Sequence, residues 1–250
     1  MAETVIDRQR SSTFVRWLIA VNVALFLTLR AIAALSPHSA HLFAVFELPG
    51  SFDALLRQPW SALTYMFVHY DALHIAVNML CLWLFGSIAA GRGCGRSVAA
   101  VYFAGGFAGG LMFIAADMLT GGSYSLLGSS AAVLAVVVAV ACRYPRQTVG
   151  LPLLEGVQLR WVALMVVSVM LISVDSSTLC AFMSHLGGVL AGLIAGFLSR
   201  RKVEGPYGAA GGTVSASLPD ALLAKLRRSG YASLTEDERR MLVETSRKEL

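Results

Sequence analysis

Charged residues are scarce in this chain. Of its 250 residues, only 14% are Asp, Glu, Lys or Arg, whereas 56% are hydrophobic, and the mean hydropathy is +0.68. An ordinary soluble domain has about 25% charged and about 45–50% apolar residues. Because so few charges cannot cover a water-facing surface of this size, the composition favours a protein that lies in the lipid bilayer.

The sequence also lacks the cysteine patterns of metal sites. The four cysteines are Cys81, Cys94, Cys142 and Cys180. They form no CxxC pair, and three of the four lie in or beside apolar stretches. This arrangement is typical of buried, unreactive thiols. No other spacing of metal ligands is visible, so we expect neither a metal ion nor another cofactor.

Six apolar runs are present instead, each close to the ~20 residues that a helix needs to cross ~30 Å of hydrocarbon. They lack the alternation of barrel strands and therefore predict helices. The first could imitate a signal peptide, but the five that follow favour a retained span. The predicted fold class is all-α, a polytopic membrane protein with a six-transmembrane-helix bundle over residues 14–199. The runs cover residues 14–36, 72–90, 97–117, 125–142, 159–175 and 179–199.

Lys and Arg lie in alternate connections between these runs, and Arg57 is the main exception on the other side. By the positive-inside rule, six spans then place both termini in the cytoplasm. The net charge of +5 is explained by anchoring near anionic lipid, so a nucleic-acid partner is not expected. The basic residues of the inner side are Arg8, Arg10, Arg16, Arg92, Arg96, Arg143, Arg146, Arg160, Arg200, Arg201 and Lys202.

The two ends of the chain differ in kind from the membrane domain. Residues 1–13 are expected to form a cytoplasmic N-terminus, 200–216 a flexible linker and 217–250 a cytoplasmic helical hairpin. Thr235 and Glu238 match a capping box that would open the second helix of this hairpin. A merely solvated tail is the alternative interpretation.

Polar residues at membrane depth are costly and indicate a functional site. In the predicted topology, runs two, four and six all travel from outside to inside, and each has polar residues in or near its first turns. These residues should therefore meet at one level below the outer surface. They are His69, His74 and Asn78 at run two, Gly128-Ser129-Ser130-Ala131 at run four, and Ser184-His185 in run six.

A serine and a histidine at one depth suffice for acyl-transfer chemistry. The Ser130 hydroxyl is a weak nucleophile that needs a base, and His185 is the candidate base. His74 and Asn78 lie four residues apart on one helix face and could stabilise an oxyanion. No carboxylate is placed to complete a triad, since Asp71 and Asp117 fall elsewhere, so the pattern predicts a dyad.

Packing offers a way to bring these groups together. Gly188, Gly192 and Gly196 repeat every four residues and form a smooth ridge on run six, against which run four could pack closely. Other interpretations stay open at this point. Ser129 could simply bond a backbone carbonyl, and His69 could brace the loop before run two. A transporter using the histidines as proton relays is also conceivable, although the paired acidic residues and internal repeats that it predicts are not seen.

At these residues the chain resembles the rhomboid family of intramembrane serine proteases. The family pattern His-x4-His-x3-Asn corresponds to His69, His74 and Asn78, and Gly-x-Ser-Gly corresponds to Gly128-Ser129-Ser130-Ala131. The pattern His-x2-Gly-x3-Gly corresponds to His185, Gly188 and Gly192. The resemblance covers roughly residues 14–199, and three motifs in order and in register make it specific.

The resemblance implies a rhomboid-like six-helix bundle whose active site opens to the outside. It implies Ser130 as nucleophile, His185 as general base, His74 and Asn78 at the oxyanion hole, and Gly128 and His69 as support. The implied substrate is the transmembrane segment of another membrane protein, and the tail is similar to those of some bacterial members, so we expect a bacterial inner membrane. The alternative within the family is an inactive relative that acts as a binding or trafficking factor for membrane proteins. Such relatives usually lack the serine or the histidine, and both are present here. Three departures from the family pattern are Ala131 in place of glycine, Ser61 in place of arginine after Trp60, and Leu134 where an aromatic residue often lies.

Overall fold

The computed structural model of the protein describes residues 2–35, 40–92, 94–149, 156–172, 179–201 and 233–239. The chain divides into two compact units, Met1–Arg201 and Lys202–Leu250. Almost all of the described structure belongs to the first unit, and its elements are helical apart from one pair of short strands. In chain order these elements are α1 (Ala2–Leu35), α2 (Ala40–Ala44), β1 (Leu48–Pro49), α3 (Phe52–Arg57), α4 (Ser61–Thr64), a 3-10 turn (Tyr65–Phe67), α5 (Ala72–Ala90), α6 (Gly95–Thr120), β2 (Ser125–Leu126), α7 (Ser130–Arg143), α8 (Leu159–Ile172) and α9 (Leu179–Arg201).

Four helices of the described chain are long and apolar enough to cross a membrane. The segments are Thr13–Leu35 of α1, the whole of α5, Ser97–Thr120 of α6 and Leu179–Ser199 of α9. The other two apolar helices, α7 and α8, have 14 residues each, which corresponds to a length of about 21 Å. The helical membrane class is therefore confirmed, whereas a count of six spans stays a prediction.

The start of α7 differs from the prediction, which began the fourth apolar run at residue 125. Ser125 and Leu126 instead pair with Pro49 and Leu48 in a two-stranded antiparallel sheet, and the helix begins only at Ser130. Gly128, between strand and helix, has a φ of 120°, which an L side chain rarely adopts. Hydropathy alone does not distinguish an apolar strand from the beginning of a helix.

Helix α7 lies at the centre of the bundle and packs against α5, α6, α8 and α9. Its residues from Ser130 to Ala141 are all buried, so protein surrounds this helix along most of its length. Small residues make the close approach possible. A Cβ on Gly192 of α9 would lie 2.6 Å from the Ala135 carbonyl oxygen of α7, and one on Gly105 of α6 would lie 2.2 Å from the Ala135 methyl carbon. The glycine ridge of α9 thus faces α7, as the sequence predicted.

Side chains that bond to backbone carbonyls brace the loop between α2 and α5. The Trp60 indole N–H donates to the Val45 carbonyl at 2.9 Å, and the Gln58 amide donates to the Glu47 carbonyl at 2.9 Å. The Glu47 carboxylate accepts hydrogen bonds from Tyr70 and Ser125, which connects this loop to β2. Ser61, which stands where the family pattern has arginine, is fully buried. The hydrogen bond from Trp60 to the Val45 carbonyl forms without that arginine.

In the second unit the structure describes only residues 233–239. The capping box predicted there is present: the Thr235 N–H donates to the Glu238 carboxylate at 2.7 Å, and the Glu238 N–H donates to the Thr235 hydroxyl at 3.4 Å. The rest of the predicted linker and hairpin lies outside the described residues.

Candidate active site

Ser130 is the first residue of α7, and the turn before it determines where its hydroxyl lies. The Gly128 N–H donates to the Tyr65 carbonyl at 2.9 Å, which ties this turn to the loop before α5. A Cβ on Gly128 would lie 2.7 Å from Cε1 of His74. Glycine is therefore required at 128 twice over, by its positive φ and by the imidazole packed against it.

The structure brings Ser130 and His185 together, although they are 55 residues apart in the chain. The Ser130 hydroxyl lies 2.7 Å from Nε2 of His185, which is within hydrogen-bond distance. His185 is in the second turn of α9, and Gly188 lies one turn further along. A Cβ on Gly188 would be only 2.2 Å from the Ala131 carbonyl oxygen. The absence of a side chain at 188 thus lets α9 approach α7 closely enough for this contact.

The other ring nitrogen of His185 is held by a backbone carbonyl rather than a carboxylate. Nδ1 lies 3.1 Å from the Met170 oxygen of α8. Because a carbonyl only accepts, this contact places the proton on Nδ1 and leaves the Nε2 lone pair free to accept the serine proton. Sequence reasoning missed Met170, because a backbone acceptor has no signature in residue type.

The two aspartates near the site have other partners. Asp71 precedes α5, and its carboxylate accepts from the His74 backbone N–H at 2.7 Å, so it caps that helix. Asp117, at the end of α6, is buried and accepts from the Tyr124 N–H at 3.2 Å. Among the residues that the structure describes, no carboxylate bonds to His185. The arrangement is a serine–histidine pair oriented by a carbonyl.

The His74 ring packs against Gly128, two residues before Ser130, and Asn78 lies one turn further along α5, a helix that packs against α7. The Asn78 amide donates to the His74 carbonyl at 2.9 Å, while its buried oxygen has no hydrogen-bond partner within the described structure. Neither side chain hydrogen-bonds to Ser130 within the described part of the chain. The N–H groups of the first turn of α7 lie next to Ser130 as well, and such N–H groups have no partner within their own helix.

His69 contacts Ser129 rather than the serine–histidine pair. Its Nε2 lies 3.0 Å from the Ser129 hydroxyl and 3.3 Å from the Ser129 backbone nitrogen, whose N–H donates to it. Burial of the ring, together with the nearby His74, lowers the pKa of His69 to about 3. His69 is therefore neutral and accepts a hydrogen bond from the turn that carries Ser130.

Two further buried polar residues, Tyr102 and Asn22, support the 3-10 turn before α5 and were not singled out from the sequence. The Tyr102 hydroxyl donates to the Met66 carbonyl at 2.8 Å, and the Asn22 amide of α1 lies 3.4 Å from that hydroxyl. Both residues lie within apolar runs and are fully buried. The cost of burying polar groups in such runs was the signal that could have identified them.

Two of the three departures from the family pattern, Ala131 and Leu134, lie in the core of the bundle. A Cβ on Gly109 of α6 would lie 2.5 Å from the Ala131 methyl carbon, so the missing side chain at 109 makes room for the extra methyl group at 131. Leu134 is fully buried. Among the described residues, no cluster of His, Cys, Asp or Glu could hold a metal ion.

Comparison with known families identifies the region of the chain that contains these residues. The model of the Rhomboid domain matches residues 56–202, more than half of the chain, and this region contains α5 to α9 with all six candidate site residues. No curated protein matches the sequence. Since the match covers both the helical core and the residues of the site, the chain belongs to the rhomboid family.

Proposed function

We propose that this protein is an intramembrane serine endopeptidase that works through a Ser130–His185 dyad. The observation that carries the proposal is the 2.7 Å distance between the Ser130 hydroxyl and Nε2 of His185. The contact of Nδ1 with the Met170 carbonyl adds support, because it leaves Nε2 in the form that accepts a proton. An ordinary serine is a poor nucleophile without such a base.

In this mechanism the Ser130 oxygen attacks the carbonyl carbon of the scissile peptide while His185 takes the hydroxyl proton. The oxyanion that forms is stabilised by His74, Asn78 and the free N–H groups at the start of α7. His185 then gives its proton to the departing amine, which leaves an acyl ester on Ser130. A water molecule, deprotonated by the same histidine, hydrolyses the ester and restores the enzyme.

The substrate in this proposal is the transmembrane segment of another membrane protein. Ser130 and His185 lie in a bundle of apolar helices, so a substrate that reaches them must itself enter the membrane region. We place the protein in a bacterial inner membrane with six spans, both termini in the cytoplasm and the site open to the outer side. The distribution of Lys and Arg supports this orientation.

The test is cleavage of a transmembrane reporter by purified wild-type, Ser130→Ala and His185→Ala proteins in one detergent. Ser87→Ala and His41→Ala are matched controls, because these residues are exposed and lie on α5 and α2, outside the site. We expect both site variants to fall to background and both controls to cleave like wild type. A serine-directed fluorophosphonate should label wild type but not Ser130→Ala.

Other outcomes would contradict the proposal. Equal cleavage by all proteins would mean that the activity belongs to another site or to a contaminant. If wild type is folded but neither cleaves nor reacts with the probe, the chain is an inactive family member that binds membrane proteins. Wild type that reacts with the probe but leaves the reporter intact would keep the dyad and refute the substrate class.

A further inference from the structure

At the far end of α7, about 20 Å from Ser130 along the helix, lies a surface cavity of about 420 Å³. Three of the six residues that line it are arginines, and no acidic residue is among them. The lining residues are Arg92, Arg143, Tyr144, Pro145, Arg146 and Gln147. A cavity of this size is within the range of small-molecule sites.

The arginine side chains are held in place by the protein. Arg92 follows α5 and donates to the Ile88 carbonyl at 3.0 Å, while Arg143 donates to the Ser199 carbonyl of α9 at 2.6 Å. Both guanidinium groups lie near the ring of Tyr144, at 4.5 and 5.5 Å from its centre. The side chains are therefore fixed beside one another before any ligand arrives, which lowers the entropic cost of binding.

The charge at this cavity is not balanced by the protein. Within the described structure, Arg92, Arg143 and Arg146 form no ion pair, and Arg146 makes no side-chain hydrogen bond. Three guanidinium groups around one cavity repel one another, and a bound anion would remove that repulsion. Guanidinium groups bind phosphate in preference to most other anions, since their planar N–H donors match its oxygens.

The location favours a phosphate that is part of a lipid. Helices α5, α7 and α9 all end near this cavity, which places it at the level where apolar helices leave the membrane. An apolar crevice adjoins it and shares Arg143 and Tyr144 as lining residues; its walls include Val98, Val101 and Val140. A charged cavity beside an apolar crevice is suited to an amphipathic ligand.

We propose that this cavity binds the headgroup phosphate of an anionic phospholipid. Two guanidinium groups held by the ends of α5, α7 and α9 would bind the phosphate oxygens, together with Arg146, which forms no ion pair with any residue that the structure describes. The lipid would thereby clamp the turn between α5 and α6 to the end of α7. This inference is independent of the protease activity proposed above.

The experiment measures the thermal unfolding midpoint of the full-length protein in detergent while lipid is added. We expect phosphatidylglycerol to raise the midpoint, because a ligand that binds only the folded state stabilises it. Phosphatidylcholine and inorganic phosphate should have little effect. Arg146→Gln should raise the half-saturating concentration of phosphatidylglycerol about fivefold, the effect of losing one basic contact with anionic lipid.

Arg160→Gln is the matched control, because Arg160 stacks on Trp161 and does not line the cavity. It should keep the half-saturating concentration of wild type. Arg146 has no hydrogen-bonded partner in the described structure, so its replacement should leave the fold intact even if Arg92→Gln or Arg143→Gln does not fold. Equal weakening by Arg146→Gln and Arg160→Gln would reduce the effect to general charge attraction and overturn the site. A midpoint rise with inorganic phosphate equal to that with lipid would overturn the lipid as the ligand.

Discussion

Replacing Gly188 with alanine places a methyl group against the backbone of α7 and directly tests the close approach on which the dyad depends. The added Cβ would lie 2.2 Å from the Ala131 carbonyl oxygen and 2.9 Å from the Ala131 Cα. Neither atom belongs to a flexible side chain, so the contact cannot be relieved by a rotamer change. The two helices must move apart, and ordinary contact at 3.4 Å requires a displacement of about 1.2 Å.

This displacement is large compared with the tolerance of the dyad. The Ser130–His185 distance of 2.7 Å would lengthen towards 4 Å if the shift fell along that direction, beyond the hydrogen-bond range. General base catalysis typically contributes about 10²–10⁴ to the rate, so we expect the kcat of Gly188→Ala to fall at least ~100-fold. Overpacking should also lower the free energy of unfolding by about 1–3 kcal/mol.

The matched control is Gly196→Ala, two turns further along the same ridge. A Cβ at 196 would meet the Cβ of Cys142 at 2.6 Å and backbone atoms of Ala139 only at 3.3 and 3.4 Å. It lies about 12 Å from Gly188 along the helix axis, so it should lower the unfolding midpoint without disturbing the dyad. The assay is reporter cleavage by both variants at a temperature where each is folded. A folded Gly188→Ala that cleaves at the wild-type rate would refute the argument that this glycine sets the dyad distance.

Two further variants separate rate from stability. Asn78→Ala should lower kcat about 10²–10³-fold, the usual effect of losing an oxyanion donor. It should change the thermal midpoint little, because the buried oxygen that it removes has no partner in the described structure and the lost amide hydrogen bond to the His74 carbonyl lies within one helix. A wild-type kcat would assign Asn78 a purely structural role. Ala131→Gly should lower the unfolding free energy by about 1–2 kcal/mol, through a lost methyl contact and a more flexible backbone. Its cleavage rate should stay within about tenfold of wild type, since the methyl group faces Gly109, and a larger loss would mean that Ala131 shapes the substrate site.

The sequence predicted the apolar helices well because their signal is local and strong. The predicted boundaries of α5 were those observed, and the span at α1 shifted by a single residue at each end. The error at α7 arose because Ser125, Leu126 and Leu127 continue an apolar run without being helical. Ser125 and Leu126 instead form a strand that pairs with residues more than 75 positions away, so α7 begins later than predicted. Hydropathy carries no information about such pairing.

The candidate site was predictable to the extent that its groups are side chains with an unusual location. A serine and a histidine in apolar runs stand out because burying them is costly. The Met170 carbonyl that orients His185 and the Tyr65 carbonyl that holds Gly128 do not stand out, because every residue has a carbonyl. For the same reason the sequence did not predict the hydrogen bonds within the loop between α2 and α5, whose acceptors are the carbonyls of Val45 and Glu47.

The short length of α7 bears on how the proposed nucleophile, Ser130, would be held inside a membrane domain. At about 21 Å, the helix is shorter than the ~30 Å of hydrocarbon. With Arg143 at one surface, Ser130 at the other end would lie roughly 10 Å below the opposite surface. The chain above it is not helical, which membrane depth tolerates only where the backbone groups are bonded within the protein. The bonds from the Gly50 N–H to the Tyr124 carbonyl and from the Gly128 N–H to the Tyr65 carbonyl meet that requirement, so this loop can reach down to Ser130 without unpaired polar groups at these positions.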